Sequence, residues 1–459
     1  MSARSAATPA DADRWKTPRL LQITIGAIFL AAVLFFWASL AGVRAMRNRV
    51  QSIGKDSVPS ILAAQRLKVS LADLDANVVN ELIVAPGKSP ASIKGYVTRR
   101  QEITDSLIRA AENITYGDLE RKPITDLTNA LSAYERLAIK ARTLHQRGEE
   151  RGATATYRDA LAQLHGALYP ASELLAKANT DALLRQEKVI GTNTAIAAGL
   201  TLLTGVLLLG VLVESQVLLF RRTNRLFNPA LLAATTVAVV SLGLLLRSFA
   251  VAQEQVRIAR DDAFVSLSAL WQARATAYDA NSDESRWLYD RDRRPELEKS
   301  FMDKTALLLK LPAGQSYAAM TQATANPAAL PADTSGYLAQ ELGNITFPGE
   351  REVAEGTVRA WGVYYAADEK IRALENNGQH EEAVRFCISM APGDSNWAYA
   401  QYDQALDKTI EINQKAFDAA IERGFGAVRG YDVGLPVAVL LVGGLAFAGI
   451  RPRLREYDV

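Results

Sequence analysis

The stretch LLQITIGAIFLAAVLFFWASLAGV, residues 20–43, carries no charged side chain between Arg19 and Arg44. A helix needs about 20 apolar residues to cross the hydrocarbon core of a bilayer, so this stretch reads as a membrane span. Three others share the property. Residues 226–246 are free of charge between Arg225 and Arg247, and residues 191–213 are equally clean and run on to Phe220 past one acid, Glu214. Residues 433–450 are shorter and hold Gly434, Gly443, Gly444 and Gly449. Four spans follow, although the whole chain of 459 residues averages only 49% hydrophobic and 22% charged. A cleaved signal peptide is the rival reading of the first stretch, but its apolar run exceeds a usual signal core and no small-residue cleavage pattern follows.

Orientation comes from the short flanks, because positive residues resist translocation. Arg4, Arg14, Lys16 and Arg19 precede the first span, Arg221, Arg222 and Arg225 fill the turn between the second and third, and Arg451, Arg453 and Arg455 follow the fourth. These segments are expected in the cytoplasm of a bacterial cell. The organisation is then a cytoplasmic tail (1–19), a span (20–43), an external domain (44–190), a span (191–220), a cytoplasmic loop (221–225), a span (226–246), a second external domain (247–432), a span (433–450) and a cytoplasmic tail (451–459). The net charge of +2 gives no reason to expect nucleic acid. The single cysteine, Cys387, cannot form an internal disulfide and is expected to be buried as a small apolar residue.

Both external segments read as helical bundles. Tyr157, Leu161, Leu164, Leu168, Ala171, Leu175, Ala178 and Ala182 recur at alternating four- and three-residue steps, and Ala64, Leu67, Leu71, Leu74 and Val78 form a similar seam. Breaks at Pro86–Gly87, Tyr116–Gly117 and Gly148 to Gly152 divide the first segment into four helices. The second segment repeats the plan. Tyr134, Lys140, Arg142, Leu144, Gly148 and Ala153 match Tyr364, Lys370, Arg372, Leu374, Gly378 and Ala383, while Asp75, Ala76 and Asn77 match Asp279, Ala280 and Asn281. Collinear matches of this kind point to internal duplication, with an inserted loop at residues 312–331. The expected fold class is an all-α membrane protein with four transmembrane helices and two tandem extracytoplasmic four-helix bundles.

No catalytic constellation is evident. His145, His165 and His380 are far apart in sequence, His145 and His380 read as solvated loop residues, and there is neither a phosphate-binding loop nor a dinucleotide fingerprint. The chain is therefore expected to be no enzyme and to hold no metal or cofactor. Asp75, Asn77, Asp279 and Asn281 read either as a polar layer for a small ligand or as interhelical hydrogen bonds that fix register. The repeated Asn113-Ile114-Thr115 and Asn344-Ile345-Thr346 read as short polar caps at helix turns.

The segments Val58-Pro59-Ser60-Ile61-Leu62-Ala63-Ala64, Ser70-Leu71-Ala72-Asp73-Leu74-Asp75-Ala76-Asn77 and Asn80-Glu81-Leu82 resemble the GlnX-type membrane proteins of actinobacteria. That resemblance implies a relay in which a glutamate- and aspartate-binding lipoprotein outside engages the membrane protein, which acts in turn on serine/threonine protein kinase G inside. Each bundle is also similar to the four-helix sensor domains of bacterial chemoreceptors, but long cytoplasmic signalling helices are absent here. A signalling adaptor is thus expected, lying in the bilayer with room for homo-oligomerisation, docking its outer partner at the bundle tips through Lys88, Arg147, Glu149, Arg151, Glu284, Arg286, Tyr289, Arg293 and His380. Arg221, Arg222 and Arg225 are the candidate cytoplasmic contacts. Direct sensing of a small molecule and a structural envelope scaffold are the alternatives.

Overall fold

The computed structural model describes residues 16–223, 228–317 and 333–455, and these are helical almost throughout. No strand occurs among them. A single isolated bridge pairs Lys310 with Ser335, at the base of the expected insertion, the greater part of which lies outside the described residues. The chain sorts into two compact units, one of Met1–Ser52, Arg185–Arg257 and Ala420–Val459, the other of Ile53–Leu184 and Ile258–Ala419.

The first unit is built from α1 (Lys16–Gln51), the later part of α6 (Tyr169–Thr223), α7 (Pro229–Arg257) and α14 (Tyr431–Arg455). These belong to four helical runs long and apolar enough to cross a membrane. Ile28, Phe35, Met46, Leu208, Leu212, Leu245, Val442 and Ala446 pack together in its interior. The outward positions are apolar as well, among them Ile23, Leu30, Leu203, Val240 and Leu440. A helix that is apolar on every side has no use for water. Gly205 lets α6 approach Leu242 and Phe35, because a Cβ there would meet Leu242 at 2.7 Å. Close approach through small residues is how helices associate where the hydrophobic effect between them is absent. Asn228 accepts from the backbone N–H of Ala230 and Leu231 at the start of α7 and donates to the carbonyl of Gly449 at 2.7 Å.

The second unit holds two helical halves. The first comprises α2 (Val58–Leu82), α3 (Pro90–Glu112), α4 (Asp118–Gln146), α5 (Glu150–Gln163) and the beginning of α6. The second comprises α8 (Val265–Tyr289), α9 (Arg294–Leu308), α10 (Tyr337–Gly343), α11 (Glu350–Asn376), α12 (His380–Ile388) and α13 (Ser395–Ala427). Where the first half has one helix, α3, the second has two shorter ones, α9 and α10, with the insertion between them. Both seams read from the sequence face the interior: Ala64, Leu67, Leu71, Leu74 and Val78 on α2 meet Tyr157, Leu161, Leu164, Leu168, Ala171 and Leu175 in one core. Gly152 lies inside α5 rather than ending a helix, and Gly148, with φ of +77°, makes the turn instead.

The helix starts at α4 and α11 are capped in the same way, and not by the asparagines. Glu120 accepts from the backbone N–H of Thr115 and Tyr116, each at 2.7 Å, and Glu350 accepts from Thr346 at 2.7 Å and Phe347 at 2.8 Å. An acid in the first turn satisfies amides that have no partner within the helix and faces the positive end of its dipole. Asn113 and Asn344 reach sideways instead, to Ser60 and to Ser266 with the carbonyl of Asp262. Short π-helical segments, Ser52–Ser57 and Ile258–Phe264, precede α2 and α8. Such wide turns interrupt the regular ladder and recur at functional positions in helices.

Candidate functional site

The two halves of the second unit meet along α2 and α8. Helix α8 is also packed by α9, α10 and α12, and its last turns have no solvent side. Ten consecutive residues, Asp279-Ala280-Asn281-Ser282-Asp283-Glu284-Ser285-Arg286-Trp287-Leu288, are buried. Helices buried all round are normally apolar, whereas this one brings four ionisable side chains inside. A buried charge is tolerated only when paired and hydrogen-bonded, so its partners define the site.

Arg286, 1% exposed, is the hub. Its Nη2 lies 2.6 Å from Asp75 Oδ2 on α2, and its Nη1 lies 3.0 Å from Asp279 Oδ1 and 2.5 Å from Asp283 Oδ1 on its own helix. Lys304 of α9 reaches Asp279 at 2.7 Å and Asp283 at 2.5 Å. The remaining capacity of Asp75 is filled from the first half: Tyr134 of α4 donates to Oδ1 at 2.7 Å and Tyr157 of α5 to Oδ2 at 2.8 Å. His165 sits 3.4 Å from Asp279. Three carboxylates and two cations, drawn from α2, α8 and α9, thus tie the halves together. Burial pushes the Asp279 carboxyl up, but Lys304 and Arg286 outweigh it and hold the group well below the usual carboxylate range. Burial and the Asp75 charge push both Tyr134 and Tyr157 well above the ordinary phenol value, so both stay protonated and donate to Asp75, and the Tyr157 hydroxyl also accepts from Arg286 Nε at 3.3 Å.

A second polar cluster is centred on Glu284, between Asp283 and Arg286 on the same helix. Glu284 accepts from Ser395 Oγ at 2.8 Å and from the Cys387 thiol at 3.3 Å. It forms no ion pair among the described residues; burial, and then the charge of Asp368, push it up to about 8. Asp368, itself raised to about 6 by burial against the opposing pull of Arg372, accepts from Arg372 Nε at 2.7 Å. Ser285 donates to Asn80 on α2 at 2.6 Å, a further bond between the halves. The Trp287 ring is flanked by the guanidinium groups of Arg294, at 4.5 Å, and Arg372, at 5.0 Å. Cys387 is buried, as its composition suggested.

Two of the expected docking residues are therefore misplaced by the sequence: Glu284 and Arg286 are buried, because α8 is enclosed by both halves, and neither can meet a partner at the surface. Tyr289 is half-buried against the core of the first half. Lys88, Arg147, Glu149 and Arg151 are exposed, and Arg293 and His380 are partly so. The structure does gather the turns that carry them. Arg158 of α5 binds Asp290 and Asp292 beyond α8, and Glu375 at the end of α11 takes both Arg294 and His380. His145 is not solvated either: it is buried, with Nε2 2.8 Å from the carbonyl of Val84, which fixes the turn after α2.

Of the four polar-layer residues, Asp75 and Asp279 converge on Arg286. The two asparagines stand aside, Asn77 donating to Asp73 and Asn281 to the Tyr364 hydroxyl. Arg221 is exposed at the end of α6, while the side chain of Arg222 and the whole of Arg225 lie outside the described residues. Among the described residues no group of three or more potential metal-binding side chains occurs. Every carboxylate of the hub is saturated by its own cations and hydroxyls, so the arrangement offers no free nucleophile or base. What it can do is lock, or release, the register of α2 against α8.

Residues 49–188 match the family described as the actinobacterial sensor domain. No curated protein and no solved structure matches the chain. The matched stretch contains α2 to α5 with Asp75, Tyr134, Tyr157 and His165; Arg286 and Lys304 come from beyond it. A sensor domain attached to helices able to cross a membrane points to a sensing or signalling role for a multi-pass membrane protein.

Proposed function

We propose that the chain is a transmembrane sensor without catalytic activity, in which stimulus outside the cell shifts the first helical half against the second and so changes the helices leading into the membrane. The carrying observation is the buried Asp75–Arg286 pair between halves whose long helices α2, α6, α8 and α13 lead from or toward the apolar segments. Packed helices respond to ligands by small translations between discrete arrangements, and a ligand can bias them only by binding one more tightly. A buried ionic contact is suited to separate two such arrangements, because leaving its partners unpaired is expensive.

In its more specific form the proposal takes the outside stimulus to be an amino-acid-binding lipoprotein and the inside partner to be a serine/threonine kinase. Support comes from the resemblance carried by residues 58–82. The positive flanks support cytoplasmic termini, and the matched caps of Glu120 and Glu350 support reading the halves as copies of one unit. A photo-crosslinking side chain placed in the membrane-embedded protein at Arg147, Arg151 or Arg291, with Gln101 on the flank of α3 as control, tests the docking. A solute-binding lipoprotein captured from the three tip positions and not from Gln101 supports the relay. Capture of no lipoprotein favours direct sensing of a small molecule within the helical halves.

A further inference from the structure

Glu341 of α10 and Glu350 at the start of α11 are both buried, and each keeps one carboxylate oxygen without a hydrogen-bond partner, Oε2 of Glu341 and Oε1 of Glu350. Their other oxygens are engaged. Glu350 Oε2 takes the amides of Thr346 and Phe347, and Glu341 Oε1 accepts from Asn413 Nδ2 of α13 at 3.1 Å. Neither acid forms an ion pair among the described residues. The groups that act most on Glu341 are Ser266 from α8, Glu350 from α11 and Asn413 from α13; α9, the remaining neighbour of α10, adds no charge among them. Two carboxylates in contact in a dry, cation-free setting cannot both be ionised, and the proton goes to the one whose anion is less well solvated. Glu350 accepts two backbone N–H donors at a helix N-terminus, an arrangement that suits a carboxylate. Glu341 has no such help.

We infer that the pair is a proton-binding site: one proton on Glu341 Oε2 donates to Glu350 Oε1, and its loss in alkaline solution places two buried anions side by side and loosens α10 from α11 and α13. Burial, with Glu350 adding its repulsion, raises Glu341 to about 8, which sets where that loss falls. The two orphaned oxygens become donor and acceptor of one bond. The first half supplies an internal control, since Glu120 makes the same cap on α4 and has no second carboxylate bonded to it among the described residues. This inference is independent of the identity of any partner.

The full-length protein in lipid nanodiscs tests it by infrared difference spectroscopy and by thermal unfolding across pH. At about pH 7, replacing Glu341 by Gln is expected to remove one protonated-carboxyl C=O band, and that band in the wild type is expected to fade as pH rises past about 8. The wild-type Tm is expected to decline between about pH 4.5, where the unfolded side chain releases its proton, and about pH 8, where the folded one does, while Glu341→Gln, which keeps a neutral donor toward Glu350, shows a shallower decline and Glu120→Gln follows the wild type. An unchanged carboxyl band on replacing Glu341 overturns the inference. So does a wild-type Tm at high pH that sodium or calcium ions restore while Glu341→Gln ignores them, for then a metal cation and not a proton occupies the pair. Glu284 is raised to a similar value, so the pH series is also read on Glu284→Gln: a carboxyl band that persists there at about pH 7 and fades past about pH 8 supports the inference even if Glu341→Gln folds poorly, and its absence there overturns it.

Discussion

Arg286 Nη2 lies 2.6 Å from Asp75 Oδ2, joining residues 211 positions apart in the chain and both essentially without solvent contact. The pair draws a helix of each half into one ionic network, and most of the expectations below follow from what surrounds it.

Among the described residues, the hydroxyls of Tyr134 and Tyr157 are the neutral donors to Asp75. Removing either by substitution with Phe deprives a buried carboxylate of one charge-assisted bond, a loss of about 1.5–3 kcal/mol. Chemical unfolding of the two single variants in detergent measures it. An effect below about 0.5 kcal/mol in both would mean that Asp75 is solvated in solution.

Lys304 is the second cation of the hub. Lys304→Met leaves Asp279 and Asp283 sharing Arg286 alone with Asp75, and breaking a buried pair in this way typically costs about 3–5 kcal/mol. Lys304→Arg, which keeps the charge, is expected to cost less. Thermal unfolding of both variants ranks them, and equal loss would assign the effect to packing.

Glu284 gives the second cluster a pH dependence of definite sign. Its folded value of about 8 stands above the ordinary 4.5, so the native state holds a proton that the unfolded chain releases. Stability is therefore full below about pH 4.5 and declines as pH rises toward 8. Glu284→Gln, which retains the neutral form, is expected to flatten this part of the profile. A wild-type profile and a Glu284→Gln profile that run parallel from acid to alkaline pH would show that the carboxyl is ionised in the folded state.

Glu120 caps α4 through two backbone amides. Glu120→Ala should cost about 1 kcal/mol, the usual scale of a lost helix cap, and hydrogen exchange should quicken at Thr115 and Tyr116 before it does elsewhere. Uniform exchange across α4 would contradict a local cap.

The membrane spans were legible because nothing but a bilayer or a deep core accommodates runs such as residues 20–43, and the seam from Tyr157 to Leu175 was legible because its spacing admits one face. The hub was not. Asn281-Ser282-Asp283-Glu284-Ser285-Arg286 has the composition of a solvated helix end, and its burial depends on Asp75, Lys304 and Tyr157, partners distant in sequence and visible only once α2, α5 and α9 are packed around α8. The correspondence of Asp75 with Asp279 did mark two of the residues, though not that one arginine binds both. His145 misled for a related reason: its partner is a backbone carbonyl, Val84, which leaves no trace in side-chain pattern. The caps were assigned to the repeated asparagines when the acids four and six residues beyond Tyr116 and Asn344 perform the task.

A double-mutant cycle on Asp75→Asn and Arg286→Met, read by unfolding of the full-length protein in nanodiscs, tests most directly that the two halves are clamped by their buried ion pair. Each single change strands a charge, whereas the double variant strands fewer, so the losses should fall short of additivity by about 1–3 kcal/mol. Additive losses, within about 0.5 kcal/mol, would contradict the account and leave the halves joined by packing and their other polar contacts.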